Sequence, residues 1–274
     1  MIFATNLARR FSGAVLQTLF IVSLAGTAAG LGWSSLRVVD FGYPWLYEAL
    51  SIEHHIEHWG ARNRYRPGFE TTTRQEHLAI FSAITTAVHH QGEGLDTIRY
   101  RDHRGNGHPF LRTPERVHLQ SVARVIDGFY RAVYLAVAIL VISAIILRRS
   151  GTPVPRLSRI LVGAFLLTAI VTLLVIGIGP TKVFYTAHHW IFPAGEQWYF
   201  TYQESLMTTL MKAPDLFGGI AVLLAAAMLC YFGLLLVAAR FWSPPNPGGA
   251  GKPPDELAPA VITSTTPGCA SPNQ

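Results

Sequence analysis

Two histidines far apart in this chain, His118 and His189, have the make-up for proton-transfer chemistry. A neutral imidazole near pH 7 can take a proton and return it, so two rings converging on one ester would suit acyl transfer without a covalent intermediate. His188 adjoins His189 but diverges from it in either a helix or a strand, which ranks it second. Glu115, one helical turn before His118, is placed either to hold that imidazole or simply to favour a helix N-terminus. A competing cluster runs His54, His55, Ile56, Glu57, His58. On a helix, His54 and His58 would share a face and offer zinc two ligands, with Glu57 as base. That short spelling lacks the further carboxylate ligand a zinc hydrolase needs. A third reading is a metal-binding or pH-responsive membrane sensor or assembly protein, which would depend on His54, His58, His89 and His90.

The elements that must position these groups are membrane spans. Four apolar runs, at about 11–33, 129–147, 160–179 and 217–239, each approach the roughly 20 residues that cross a bilayer core. Half the chain is hydrophobic and 14% is charged, with the charges concentrated between the runs. The expected fold is therefore an all-α integral membrane protein, with four transmembrane helices and a small extracytoplasmic domain between helices 1 and 2. Arg148, Arg149, Arg156 and Arg159 mark one short loop as cytoplasmic by the positive-inside rule, as do Arg9 and Arg10 before the first run. Residues of about 34–128 and 180–214 then share the extracytoplasmic face, which carries all eleven histidines. The first run also has the layout of a cleaved signal peptide, but its length and its small residues favour a retained, packed helix. The Pro/Gly-rich segment 243–274 reads as a disordered cytoplasmic tail.

The net charge of +6 does not indicate a nucleic-acid partner, because Arg is interleaved with Glu and Asp in the outer segment; a solvated or headgroup-facing surface is expected. Cys230 lies in the last span and Cys269 in the tail, so no disulfide joins the outer segments and a thiol oxidoreductase is excluded. Haem ligation would call for histidines within the spans, and there are none.

Within the outer segment, residues Val38 to His58 mix aromatics with charges and read as interfacial. Gln75 to His90 places Leu78, Phe81, Ile84 and Val88 at helical spacing. Thr113 is the expected N-cap of a helix with Pro114 at its first position, running without a breaker into the second span and carrying His118 near its start. The second outer loop is crowded with aromatics and should lie in the interface or under the ectodomain. Trp190, Phe192, Trp198 and Tyr202 are its candidates to line an acyl chain, the alternative for each being an ordinary place in the interfacial aromatic belt.

His189, Trp190, Ile191 and Phe192, then Trp198, Leu206, Met207 and Pro214 at the head of the last span, resemble a loop of the bacterial lipoprotein intramolecular transacylase (Lit) family. That family carries His-x-Ile-Phe, a Trp nine residues on, a Leu-hydrophobic pair and a Pro leading into the final helix. Glu115, Arg116, Val117, His118 and Val122 resemble its Glu-x-x-His element. The likeness spans about residues 10–240, with specificity in the two motif regions. This chain departs from the family at Leu119 to Val122, where Met-x-Asp-Val is common, and at Pro193 to Glu196, where an Asn-Asp region is usual. The first departure leaves open what orients His118. The resemblance implies a multi-pass protein of the bacterial cytoplasmic membrane with its site on the extracytoplasmic face. It also implies transfer of one acyl chain from the diacylglyceryl group of a lipoprotein's N-terminal Cys to that residue's α-amine. His118 and His189 would be catalytic, in exchangeable roles as base and oxyanion partner. The implied partners are the diacylated lipoprotein and membrane lipid, with no cofactor.

Overall fold

A computed structural model describes residues 2–242, with side chains from Gly13 onward; the expected disordered tail at 243–274 lies outside the described residues. In chain order the elements are α1 (Ile2–Val38), α2 (Tyr43–Ala49), α3 (Ile52–Gly60), α4 (Arg74–Val88), β1 (Arg99–Arg101), β2 (Gly107–Pro109), α5 (Thr113–Arg149), α6 (Leu157–Ile178), α7 (Pro180–Ile191), α8 (Leu206–Met211) and α9 (Asp215–Trp242). The protein is an all-α membrane fold, in which α1, α5, α6 and α9 are long and apolar enough to cross a bilayer. The strands β1 and β2 form one small antiparallel hairpin, with Tyr100 opposite His108.

Small residues let α1 approach its neighbours. A Cβ on Gly30 would lie 2.4 Å from Val133 of α5, one on Gly26 would lie 3.0 Å from Ala136, and one on Gly32 would lie 3.2 Å from the Met228 backbone of α9. Close backbone approach of this kind replaces the missing hydrophobic drive between helices in lipid. Further along the bundle, Phe20 and Leu24 of α1 join Leu147 and Leu236 in a separate apolar cluster.

The stretch 38–58 is more buried than an interfacial segment would be. It folds into α2 and α3, and Tyr43, Tyr47, Ile52 and Ile56 enter the core of the domain between α1 and α5. Tyr43 stacks on Phe81 at 3.9 Å and donates a hydrogen bond to the Leu210 carbonyl at 2.8 Å. That bond ties in the second outer loop, whose Phe200, Leu206, Met207, Leu210 and Met211 belong to the same core. Helix α4 matches the apolar spacing over 75–90. Thr73 caps it by accepting from the Glu76 amide, and His77 turns into the core alongside Ile80, Phe81 and Ile84.

Helix α5 has 37 residues, about 55 Å at 1.5 Å per residue, which exceeds a hydrocarbon core of about 30 Å. The apolar run expected at about 129–147 falls in its later part, and His118 lies near its start, ahead of that run. The cap differs from expectation by one residue. Arg112 is the N-cap, its amide donating to the Glu115 carboxylate at 2.5 Å, and Thr113 is already helical.

Helix α6 stands apart from the other spans. It has no buried residue, and its share in the bundle's apolar packing is Ile160 in its first turn. Gly179, at φ +98°, and Pro180 end it and start α7 in a new direction.

Candidate active site

The site forms where the protruding start of α5 meets the segment after α7. His118 Nδ1 lies 3.5 Å from Glu196 Oε1, the two side chains being 13% and 6% exposed. This is ion-pair range but longer than a hydrogen bond, and neither atom has a hydrogen-bond partner. The other carboxylate oxygen, Glu196 Oε2, accepts from the Ser121 hydroxyl at 2.6 Å. The Ser121 oxygen in turn accepts from Arg124 at 2.6 Å. Ser121 and Arg124 follow His118 at three-residue intervals, so all three lie on adjoining parts of one α5 surface. Together they receive a carboxylate delivered from a loop.

Burial lowers the His118 pKa below the usual imidazole value; the Glu196 charge opposes that shift and a nearby His188 charge adds to it. We assign the Nδ1 proton to the side facing Glu196, which leaves Nε2 basic. Among the described residues no hydrogen bond occupies Nε2. A carboxylate beside one ring nitrogen and an open second nitrogen form an arrangement that could serve a general base.

Phe192 lies 4.7 Å from the His118 ring and 5.5 Å from the His188 ring, centroid to centroid. The two imidazoles thus flank one aromatic ring. His188 Nδ1 sits 2.9 Å from the Phe184 carbonyl, and its ring lies 4.0 Å from Phe184 and 4.6 Å from Trp198. His189 is exposed and its ring stands at nearly a right angle to that of Trp198, 5.8 Å between centroids. The expected inward and outward positions are therefore reversed. Helical α7 separates consecutive side chains by about 100°, and it is His188 that faces the His118 side.

The aromatic set divides in the same way. Phe192 packs on His118 and His188, and Trp198 packs on His188 and His189. Trp190 is 86% exposed and lies outside it. Tyr202 packs on His55 at 4.5 Å and Trp59 at 5.2 Å and donates to the Ala213 carbonyl, so it belongs to the ectodomain wall. Glu115 does not hold His118. It is fully buried, spent on the α5 cap and beside Arg112. Burial raises its pKa, while Ser205, Arg112 and Arg66 pull against that shift.

The competing clusters do not converge. His54 Nδ1 lies 3.5 Å from a Glu57 carboxylate oxygen on α3, both side chains exposed, and no group of three possible metal-ligating side chains occurs among the described residues. His89 accepts from the Trp33 indole at 2.9 Å and bonds the Thr85 carbonyl, while His90 bonds that of Thr86. Each is committed to the end of α4, away from the α3 pair.

Glu196, Ser121 and Arg124 are the functional candidates that sequence reasoning missed. Ser121 and Arg124 were legible as same-face neighbours of His118, whereas only the fold of the second loop brings Glu196 to them.

No protein-family model matches the chain, and no curated protein matches it. Solved structures do. The membrane-integral lipoprotein intramolecular transacylase Lit from Bacillus cereus, with one histidine replaced by arginine, aligns at TM-score 0.60 and 17% identity, covering 88% of this chain and 96% of that one. The variant with histidine replaced by alanine aligns at 0.59 and 17%, covering 86% and 96%. A third structure of the same protein aligns at 0.53 and 16%, covering 85% and 99%. At this identity the likeness establishes a shared fold.

Proposed function

We propose that this chain is a membrane acyltransferase of the bacterial cytoplasmic membrane, with its site on the extracytoplasmic face. It moves one acyl chain of a diacylglyceryl-modified lipoprotein onto the α-amine of the same N-terminal cysteine, giving the lyso form. The observation that carries this reading is a buried imidazole, His118, set against a buried carboxylate, Glu196, at the head of a span. The fold it shares with a lipoprotein intramolecular transacylase supports the same reading.

The chemistry balances with the groups present. An α-amine has a pKa of about 7.7 to 8.0, so at neutral pH it arrives largely as an ammonium. His188 Nε2 accepts that first proton, since its Nδ1 is engaged with the Phe184 carbonyl. The free amine attacks the ester carbonyl while His118 Nε2 removes its second proton. The His188 imidazolium donates to the oxyanion, and Glu196 stabilises the charge formed on His118. Collapse breaks the ester C–O bond, and His118 returns its proton to the glyceryl alkoxide. One amide and one hydroxyl result, and the proton on His188 leaves to solvent. Amine and ester ride on one molecule, which supplies proximity without a second acyl donor. Phe192, Trp198 and the unburied flank of α6 offer apolar surface to the chains.

The test is co-expression with a diacylated lipoprotein, followed by fragmentation of its N-terminal peptide. Substrate and product are isomers, so the readout is which atom carries the acyl group, not the total mass. The wild-type protein should give an N-acyl, S-monoacylglyceryl cysteine, and His118→Gln should leave the α-amine free. A free amine with the wild-type protein contradicts the proposal.

A further inference from the structure

A cavity of about 730 Å³ opens between the end of α1 and the middle of α5, lined in part by Arg37, His89, Asp127, Tyr130, Arg131 and Tyr134. It is separate from the His118 site. Asp127 follows His118 by nine residues, two and a half turns at about 3.6 residues per turn, which puts it on the opposite face of α5. The cavity lies where the α1 and α5 spans emerge toward the ectodomain, the level of lipid headgroups.

Among the described residues its charges, Arg37, Arg131 and Asp127, have no ion-pair partner. Asp127 and Arg131 stand four residues apart on one helix, a spacing at which a carboxylate and a guanidinium commonly meet, yet they remain separate around the opening. The back wall is fixed by the hydrogen bond of His89 to Trp33 and by Trp33 packing on Phe129 at 5.3 Å. Two unpaired guanidinium groups match a phosphate, the single carboxylate matches an ammonium, and tyrosines suit the headgroup zone.

We propose that this cavity binds the headgroup of an amine-bearing glycerophospholipid, its phosphate between Arg37 and Arg131 and its ammonium toward Asp127. The acyl chains run down the lipid-facing side of α1 and α5. This site is independent of the acyl-transfer reading and does not require it.

The test is native mass spectrometry of the full-length, delipidated protein titrated with phosphatidylethanolamine, phosphatidylglycerol or soluble glycerophosphoethanolamine. The wild-type protein should retain one phosphatidylethanolamine in preference to phosphatidylglycerol, and the soluble headgroup should bind far more weakly. The double variant Arg37→Gln/Arg131→Gln should weaken lipid retention at least about tenfold. Should it fail to fold, Asp127→Asn keeps both cations and should erase the preference for the amine headgroup. Equal retention by the wild-type protein and the folded double variant, or an unchanged preference in Asp127→Asn, overturns the site. Equal affinity for soluble glycerophosphoethanolamine overturns its assignment to a lipid.

Discussion

At the scale of single residues, the account turns on a base and the carboxylate behind it. His118→Gln should lower acyl transfer by about 10² to 10⁴-fold, the usual range for a positioned acid–base group. Glu196→Gln should cost on the order of tenfold to a hundredfold, because it removes support and not the base. It should also leave a signature that a structural role would not. The Glu196 charge favours the imidazolium while burial disfavours it. Removing that charge leaves burial unopposed, so the His118 titration, followed by NMR of ring-labelled histidine, should move to lower pH. A shift upward, or none, would contradict the assigned contact. Between the two neighbouring histidines, His188→Gln should reduce turnover more than His189→Gln; the opposite order would return the second role to His189. Residue types, together with the motifs around them, pointed to His118 and His189, with His188 ranked second. The preference for His189 over His188 had no geometric basis, since which ring faces inward depends on the rotational setting of α7. Nor could residue types and motifs place Glu196, whose position is set by a loop folding back on α5.

At the scale of elements, the domain between α1 and α5 is held by α2, α3 and α4 packing around buried aromatics and one buried histidine. His77 is hydrogen-bonded on both ring nitrogens, to Tyr47 at 2.8 Å and Thr72 at 2.6 Å. Burial pushes its pKa down to about 4 from 6.5. A histidine depressed in the folded state takes its proton earlier when unfolded. Stability is therefore complete above about pH 6.5 and falls as pH drops toward 4, by roughly 3 kcal/mol at most for this group. Thermal melting between pH 7 and pH 4 should show this loss, and His77→Gln should flatten the pH dependence while lowering the neutral-pH melting temperature. The α1–α5 contact makes a separate claim. Gly30→Leu should destabilise the detergent-solubilised protein by about 1–3 kcal/mol, since its Cβ would meet Val133. Gly13→Leu, where nothing lies within 4 Å, should be tolerated. The apolar periodicity of α4 and the small residues of α1 were readable because each states its own packing face. The burial of Tyr43 and Tyr47 was not, because an aromatic beside charges reads the same in a membrane interface as in a core that other elements complete.

At the scale of the whole molecule, four apolar runs sufficed for the fold class, because a bilayer leaves the backbone few options besides helices that satisfy their own hydrogen bonds. The detachment of α6 was beyond reach of hydropathy, which reports that a helix tolerates lipid on all sides but not whether a neighbour covers it. Arginine placement carries the orientation, and it yields a test. In a background with Cys230 and Cys269 replaced by serine, Arg104→Cys should react with a membrane-impermeant thiol reagent added to spheroplasts. Ser150→Cys should react only after lysis. The reverse pattern would put the site on the cytoplasmic side, where it would not meet exported lipoproteins. The most direct measurement of the central claim uses purified protein in proteoliposomes with a synthetic diacylglyceryl-cysteine peptide, following loss of the free α-amine at constant mass. The account predicts that the wild-type protein blocks the amine and leaves a free glyceryl hydroxyl, while His118→Gln does neither. An amine left free by the wild-type protein, or blocked as fast by His118→Gln, would contradict it.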